Sequence, residues 1–167
     1  MDAERSGQDC TRDRTRDQEP HDREDETMAS TDLAQLIAES HGGALVALKR
    51  DGRPQISNVS HTFEPSANLL RISTTADRAK VANLRRDPRA SYYVTSADQW
   101  SYAVAEGTVE LTPVAADPHD AVVDELVEVY RLILGEHPDW DEYRAAMVAD
   151  RRLVVRLTVE RIYGQAR

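Results

Sequence analysis

The sequence predicts a mainly β protein in which six antiparallel strands form a closed or half-closed barrel with peripheral helices. Six segments between residues 44 and 163 are rich in apolar and β-branched residues. Turn signals separate several of them, and the pair Asp51-Gly52 favours a tight hairpin and therefore antiparallel pairing. The helical segments are grouped instead of alternating with strands, which excludes a doubly wound parallel sheet.

The strands follow from local patterns and from the turns between them. The Asp51-Gly52 hairpin joins the first two strands, a turn at residues 64–68 joins the second to the third, and residues 97–99 join the fourth to the fifth. We predict strands over residues 44–49, 54–63, 69–75, 89–96, 100–112 and 153–163.

Four helices are predicted from apolar spacing and capping residues. The first spans residues 32–40. A short basic helix is opened by Asp77 and stopped by Pro88. The clearest amphipathic helix spans residues 120–134, and a shorter helix follows at residues 139–150. The predicted apolar face of the third helix comprises Val122, Val123, Leu126, Val127, Tyr130, Ile133 and Leu134.

Composition divides the chain into a tail, residues 1–28, and one folded domain, residues 29–167. Residues 1–27 contain ten acidic residues and five arginines, but no valine, isoleucine, leucine, phenylalanine, tryptophan or tyrosine. Such a segment buries too little apolar surface to offset its chain entropy, so we expect it to be disordered. Met28 is an alternative start, so the segment is either a solvating tail or lies upstream of the true start. The single cysteine, Cys10, lies in this tail, which leaves no disulfide or thiolate metal site within one chain.

Charge and motifs exclude several classes of function. The formal net charge of −9 disfavours nonspecific binding to nucleic acid. No apolar run approaches the roughly 20 residues of a membrane helix, so we expect no membrane association and a cytoplasmic location. Dinucleotide-binding, Walker, zinc-protease and nucleophile-elbow motifs are absent, and the five histidines share no ligand spacing. With no metal site or serine triad predicted, the chemistry would have to come from a bound cofactor.

One local charge pattern indicates a binding site. Residues 77–89 hold five basic and two acidic residues, a net charge of +3 in an acidic protein. They follow the hydroxyl residues 73–75 and begin a helix, whose first amides and dipole attract anions. We predict that Arg78 and Lys80 bind an anionic small molecule with these hydroxyls; the alternative is a solvated basic helix. The remaining basic residues, Arg85, Arg86 and Arg89, are interpreted as a solvated face.

Four short blocks occur in the order and spacing of a known family. They are GRPQISNV at 52–59, RAKVANL at 78–84, RDPRA at 86–90 and WSYAVAEG at 100–107. Together they resemble the pyridoxamine 5'-phosphate oxidase-like, FMN-binding split-barrel proteins, and within them the branch that binds the deazaflavin coenzyme F420. The likeness covers about residues 32–164, and the stretch at 143–152 fits the same branch.

The resemblance implies a six-stranded split β-barrel that forms a homodimer, with two cofactor sites along the dimer interface. It places the cofactor phosphate at Ser73, Thr74, Arg78 and Lys80, with Asn83 on the same helix face. It places the deazaflavin ring against Gln55, Asn58 and Val59. Trp100 and Tyr102 would reach the site from the other subunit, although packing in the core or the dimer interface also explains these two aromatic residues.

The function implied by this resemblance is that of an F420-dependent oxidoreductase. It would be a reductase that transfers hydride from reduced F420 to a small unsaturated or conjugated substrate. One alternative is an FMN-dependent pyridoxamine or pyridoxine phosphate oxidase-like enzyme, which would need a second basic cluster for the substrate phosphate. The other is a non-catalytic F420-binding protein, because no catalytic residue is assigned by the sequence.

Overall fold

The computed structural model describes residues 32–166, so the predicted tail at residues 1–28 lies outside the described residues. The helices are α1 at residues 32–39, α2 Ala79–Arg86, α3 Ala121–Leu134 and α4 Trp140–Ala149, with one 3-10 turn at Pro65–Ala67. The strands are β1 Gly42–Leu48, β2 Pro54–Ser60, β3 Thr62–Glu64, β4 Leu69–Thr75, β5 Arg89–Thr95, β6 Tyr102–Leu111 and β7 Arg152–Gln165. Among these residues, no helix is both long and apolar enough to cross a bilayer.

The sheet has seven strands instead of the predicted six, because the predicted strand at residues 54–63 is divided at His61. All pairings are antiparallel, and the strand order is β2-β1-β5-β6-β7-β4-β3. β2 and β3 therefore occupy opposite edges of the sheet, yet a single residue, His61, connects them. The chain can pass from one edge to the other in one residue only if the sheet rolls until its edges meet. This confirms the rolled antiparallel sheet with peripheral helices.

The two sheet edges meet at His61, and we call this junction the seam. Two hydrogen bonds of the His61 side chain stabilise it. This side chain is fully buried, with Nε2 2.9 Å from the carbonyl oxygen of Ile37 and Nδ1 2.7 Å from the hydroxyl of Tyr92. Because a carbonyl only accepts, Nε2 carries the proton and Nδ1 accepts from the tyrosine. Burial lowers the pKa of His61 and favours this neutral form. The seam thus ties together α1, β5 and the junction of β2 with β3.

The interior of the rolled sheet is the main hydrophobic core, and a smaller core lies beneath α3 and α4. The smaller core comprises Ala115, Val123, Leu126, Met147 and Val154. Two ion pairs attach α3 to the outside of the sheet. Arg71 of β4 pairs with Glu128 at an N–O distance of 2.7 Å, and Arg156 of β7 pairs with Glu125 at 2.6 Å. These contacts matter for function because the last turns of α3 form one wall of the cavity described below.

Two predicted helix starts agree with the structure, and one is wrong. The carboxylates of Asp120 and Asp139 accept backbone hydrogen bonds at the starts of α3 and α4. Asp77 does not open α2, which begins at Ala79 with Arg78 as its N-cap. The Asp77 carboxylate instead accepts a hydrogen bond from the hydroxyl of Thr75, which lowers the pKa of Asp77 and stabilises the turn before the helix.

Candidate functional site

A cavity of about 780 Å³ lies where β2, the end of β4 and the first turn of α2 face α3 and α4. Its volume is within the range of sites for cofactors and drug-sized molecules. It is lined by Gln55, Ser57, Asn58, Val59, Ser60, Ser73, Thr74, Thr75, Arg78, Ala79, Lys80, Val129, Tyr130, Ile133, Leu134, Tyr143, Met147 and Arg152. Seven of the ten predicted site residues are in this set.

One end of the cavity is basic and rich in hydroxyl groups. β4 ends there with residues 73–75, and the chain then turns directly into α2, which brings Arg78 and Lys80 beside these hydroxyls. Among residues 32–166, neither cation forms an ion pair or a side-chain hydrogen bond. Burial, and secondarily the neighbouring charge of Arg78, lower the pKa of Lys80. Two adjacent cations without a carboxylate partner favour an anionic ligand.

Arg152 is a third cation at this end, to which the sequence analysis gave no role. The β4–β7 register places it opposite Thr75, and its Nη1 donates to Ser73 Oγ at 3.2 Å. Its Nε lies 3.4 Å from a carboxylate oxygen of Asp150. Because Arg152 donates to the Ser73 oxygen, the Ser73 hydroxyl proton is left to donate to a ligand. Only the strand register reveals this contact, since the two residues are far apart in the chain.

The strand β2 forms the side of the cavity, as predicted for Gln55, Asn58 and Val59. The Gln55 amide donates to Ser57 Oγ at 2.6 Å. Its Oε1 is buried and has no hydrogen-bond partner within the described part of the chain. A buried acceptor without a partner is uncommon in folded proteins and is suited to an N–H group of a ligand.

Three predicted site residues lie outside this cavity. Asn83 is one turn further along α2, where its Oδ1 accepts from Arg86 at 3.1 Å. Tyr102 stacks on Tyr93 with ring centroids 6.1 Å apart, and Trp100 is 61% exposed. The contribution of Trp100 and Tyr102 to a partner's site stays a prediction, because it concerns a second chain.

Two of the other arginines in the basic segment make structural contacts. Arg86 donates to the carbonyl oxygen of Leu48 and so attaches α2 to β1. Arg89 pairs with Asp87 at 2.7 Å, and its hydrogen bonds lower the pKa of Asp87 to about 2. Neither residue lines the cavity, so the anion-binding part of the segment is its first turn.

The opposite wall of the cavity is apolar and aromatic. It comprises Val129, Tyr130, Ile133 and Leu134 of α3 with Tyr143 and Met147 of α4. The hydroxyl of Tyr143 donates to the carbonyl oxygen of Leu126 at 3.1 Å, and burial raises the pKa of Tyr143 to about 12. Apolar spacing predicted Ile133 and Leu134 on the core face of α3, but Leu134 is 68% exposed and both residues line the cavity.

Comparison with known proteins identifies the family. The model of the pyridoxamine 5'-phosphate oxidase family matches residues 30–166. The chain belongs to this family. A relative from Mycobacterium tuberculosis, named F420H(2)-dependent biliverdin reductase, is 27% identical over 140 residues, which are 84% of this chain and 90% of the relative.

Solved structures of similar fold agree with this membership. The conserved hypothetical protein Rv2991 from M. tuberculosis superposes with a TM-score of 0.63 and 22% identity, covering 82% of this chain and 84% of its own. A structure named F420 reductase superposes with a TM-score of 0.61 and 22% identity, covering 78% of this chain and 95% of its own. Both similarities concern the fold, which is the split barrel of the family.

Proposed function

We propose that this chain is an F420-dependent oxidoreductase that reduces a small unsaturated or conjugated substrate. The observation that carries the proposal is one cavity that combines three features: a basic end, where Arg78 and Lys80 form no ion pair within the described chain, a buried amide acceptor on one side, and an apolar wall opposite. The similarity to an F420H(2)-dependent reductase along 84% of the chain supports F420 as the cofactor.

The residues present fit the chemical groups of such a cofactor. Arg78, Lys80 and the Ser73 hydroxyl would hold its phosphate, because cations and hydroxyl donors are the usual phosphate ligands. The buried Oε1 of Gln55 would accept from an N–H of the pyrimidinedione part of the ring. When bound, reduced F420 supplies a hydride, which together with one proton saturates a double bond of the substrate.

The protein itself would bind, orient and desolvate the reactants. The basic end fixes the anionic part, and the apolar wall on α3 and α4 excludes water from the remaining volume. Tyr143 is a poor proton donor, since its hydroxyl is engaged by Leu126 and its pKa is about 12. We therefore assign no general acid, and solvent water is the simplest source of the proton.

FMN is the alternative cofactor, because it also carries a phosphate and an N–H on a fused ring. The family membership supports this alternative. One observation argues against a pyridoxamine-phosphate oxidase. Within the part of the chain that the structure describes, the cations that line the cavity are grouped at one end. A second phosphate, on the substrate, has no comparable cluster there. A protein that binds F420 without turnover is the third candidate.

We expect F420 to bind more tightly than FMN when the two are titrated side by side and followed by fluorescence quenching. The polyanionic tail of F420 adds negative charge near the basic end, so its affinity should also fall more steeply with rising salt. Equal or tighter binding of FMN would contradict the F420 assignment. Binding of F420 without oxidation of its reduced form by any unsaturated acceptor would favour the non-catalytic candidate.

We also expect a homodimer. Tyr93, Tyr102 and Tyr163 project from the same face of β5–β7, because Val104 pairs with both Tyr93 and Tyr163 and lies two residues from Tyr102. Such an aromatic patch on a sheet surface is typical of protein interfaces. Sedimentation should give roughly twice the chain mass of 18.7 kDa.

A matched pair of variants tests which surface forms the dimer interface. The double variant Tyr93→Glu/Tyr102→Glu should sediment as a monomer. The control Leu132→Glu, which places one such charge on an exposed apolar position of α3, should remain dimeric. A wild-type monomer that binds cofactor with full affinity would refute a site shared between subunits.

A further inference from the structure

Part of the apolar wall of the cavity, at the end of α3, is not explained by packing in the core. Six uncharged residues form the wall: Val129, Tyr130, Ile133, Leu134, Tyr143 and Met147. Met147 belongs to the small core beneath α3 and α4, Tyr143 packs against that core, and Val129 is also buried. Leu134 is 68% exposed, and its neighbour Ile133 is half-buried. Exposed aliphatic side chains at the mouth of a cavity contribute free energy when an apolar ligand covers them.

Aromatic contacts keep this wall in a fixed position. The ring of Tyr130 lies 4.9 Å from that of Tyr143 and 5.7 Å from that of Trp140, which it meets edge to face. The hydroxyl of Tyr143 is anchored on Leu126 of α3. Because the last turn of α3 and the start of α4 are joined in this way, the wall is formed before any ligand arrives.

The basic end and the apolar wall of the cavity favour different chemical groups of a ligand. Arg78, Lys80 and Arg152 lie at the basic end, where the proposed cofactor phosphate would bind. The α3–α4 wall offers aliphatic and aromatic surface and no charged side chain, so a charged group placed against it would lose its hydration without a partner. A flat, uncharged ring system would instead bury apolar surface against Ile133 and Tyr130.

We propose that the α3–α4 wall is the substrate subsite and that it selects uncharged, planar, conjugated molecules. The claim that the bound molecule is a substrate for reduction rests on the proposed function. The claim that such a molecule binds to the wall is independent of that function, because binding can be measured on the full chain without cofactor. The proposal names Ile133 and Leu134 as residues that determine specificity.

The test uses Nile red, an uncharged, planar, conjugated dye whose fluorescence rises in apolar surroundings. Ile133→Ser and Leu134→Ser should each weaken dye binding by about five- to tenfold, the loss expected when one aliphatic contact is removed. Leu132→Ser is the matched control, since Leu132 is on the same helical turn and 53% exposed but does not line the cavity. The control should bind the dye like the wild type.

F420 affinity measured on the same variants separates this proposal from the proposed function. Unchanged F420 affinity with weakened dye binding supports a substrate subsite distinct from the cofactor position. An equal loss of F420 affinity would assign the wall to the cofactor ring and overturn the proposal, as would unchanged dye binding in both variants or an equal loss in Leu132→Ser. If F420 does not bind the wild type but the dye pattern holds, the proposed function fails while the apolar subsite stands.

Discussion

Replacing both Arg78 and Lys80 by alanine should remove measurable cofactor binding while leaving the fold intact. Each side chain lines the cavity, and neither forms an ion pair with another residue of the described chain. Losing one charge-assisted contact to a phosphate lowers affinity by about ten- to a hundredfold, so the double variant combines two such losses. Titration with F420 and with FMN measures the effect.

Arg85→Ala is the control for this experiment. Arg85 lies on the same helix and carries the same charge, but it does not line the cavity. Its removal therefore tests whether general electrostatic attraction, and not a specific site, accounts for binding. We expect Arg85→Ala to bind within about twofold of the wild type. A comparable loss in all variants would mean that the basic segment acts only through its net charge.

Much of this site could be predicted from the sequence because the residues of its basic end are close together along the chain. The hydroxyls of β4, the turn and the first residues of α2 follow one another within residues 73–80, so a short pattern contains them all. In α2, Val81 and Leu84 are three residues apart and therefore share a helix face, and both are buried. The start of α2 was misplaced because the Asp77 carboxylate accepts a hydroxyl group where a helix amide was expected.

The remaining parts of the site depend on contacts between distant segments. Arg152 lies opposite Thr75 and reaches the Ser73 hydroxyl only because β7 pairs with β4 in one particular register. Ile133 and Leu134 fit the apolar periodicity of α3, and periodicity does not distinguish a core from a cavity wall. The division of the predicted second strand at His61 likewise depends on which strand lies at each edge of the sheet.

His61→Ala should be the most destabilising of the substitutions considered. The variant leaves a cavity in the seam. It removes the side-chain partner of the Ile37 carbonyl and leaves the Tyr92 hydroxyl with only its long contact to the Val59 carbonyl, at 3.5 Å. A buried cavity together with lost or weakened buried hydrogen bonds costs about 3–5 kcal/mol of unfolding free energy. Urea unfolding measures this loss, with His119→Ala, an exposed histidine, as the control that should change little.

The same residue should make the stability of the protein depend on pH. The pKa of His61 in the folded state lies below its ordinary value of 6.5, mainly because of burial, so the unfolded chain binds a proton more readily than the folded one. The contribution of His61 is therefore complete above pH 6.5 and is lost as the pH falls from there towards the folded-state pKa. Urea midpoints between about pH 8 and pH 5.5 should fall in the wild type more than in His61→Gln, whose side chain does not titrate. Identical pH dependence in the two proteins would show that the pKa of His61 is the same in the folded and unfolded states, and the fold would then not favour the neutral form.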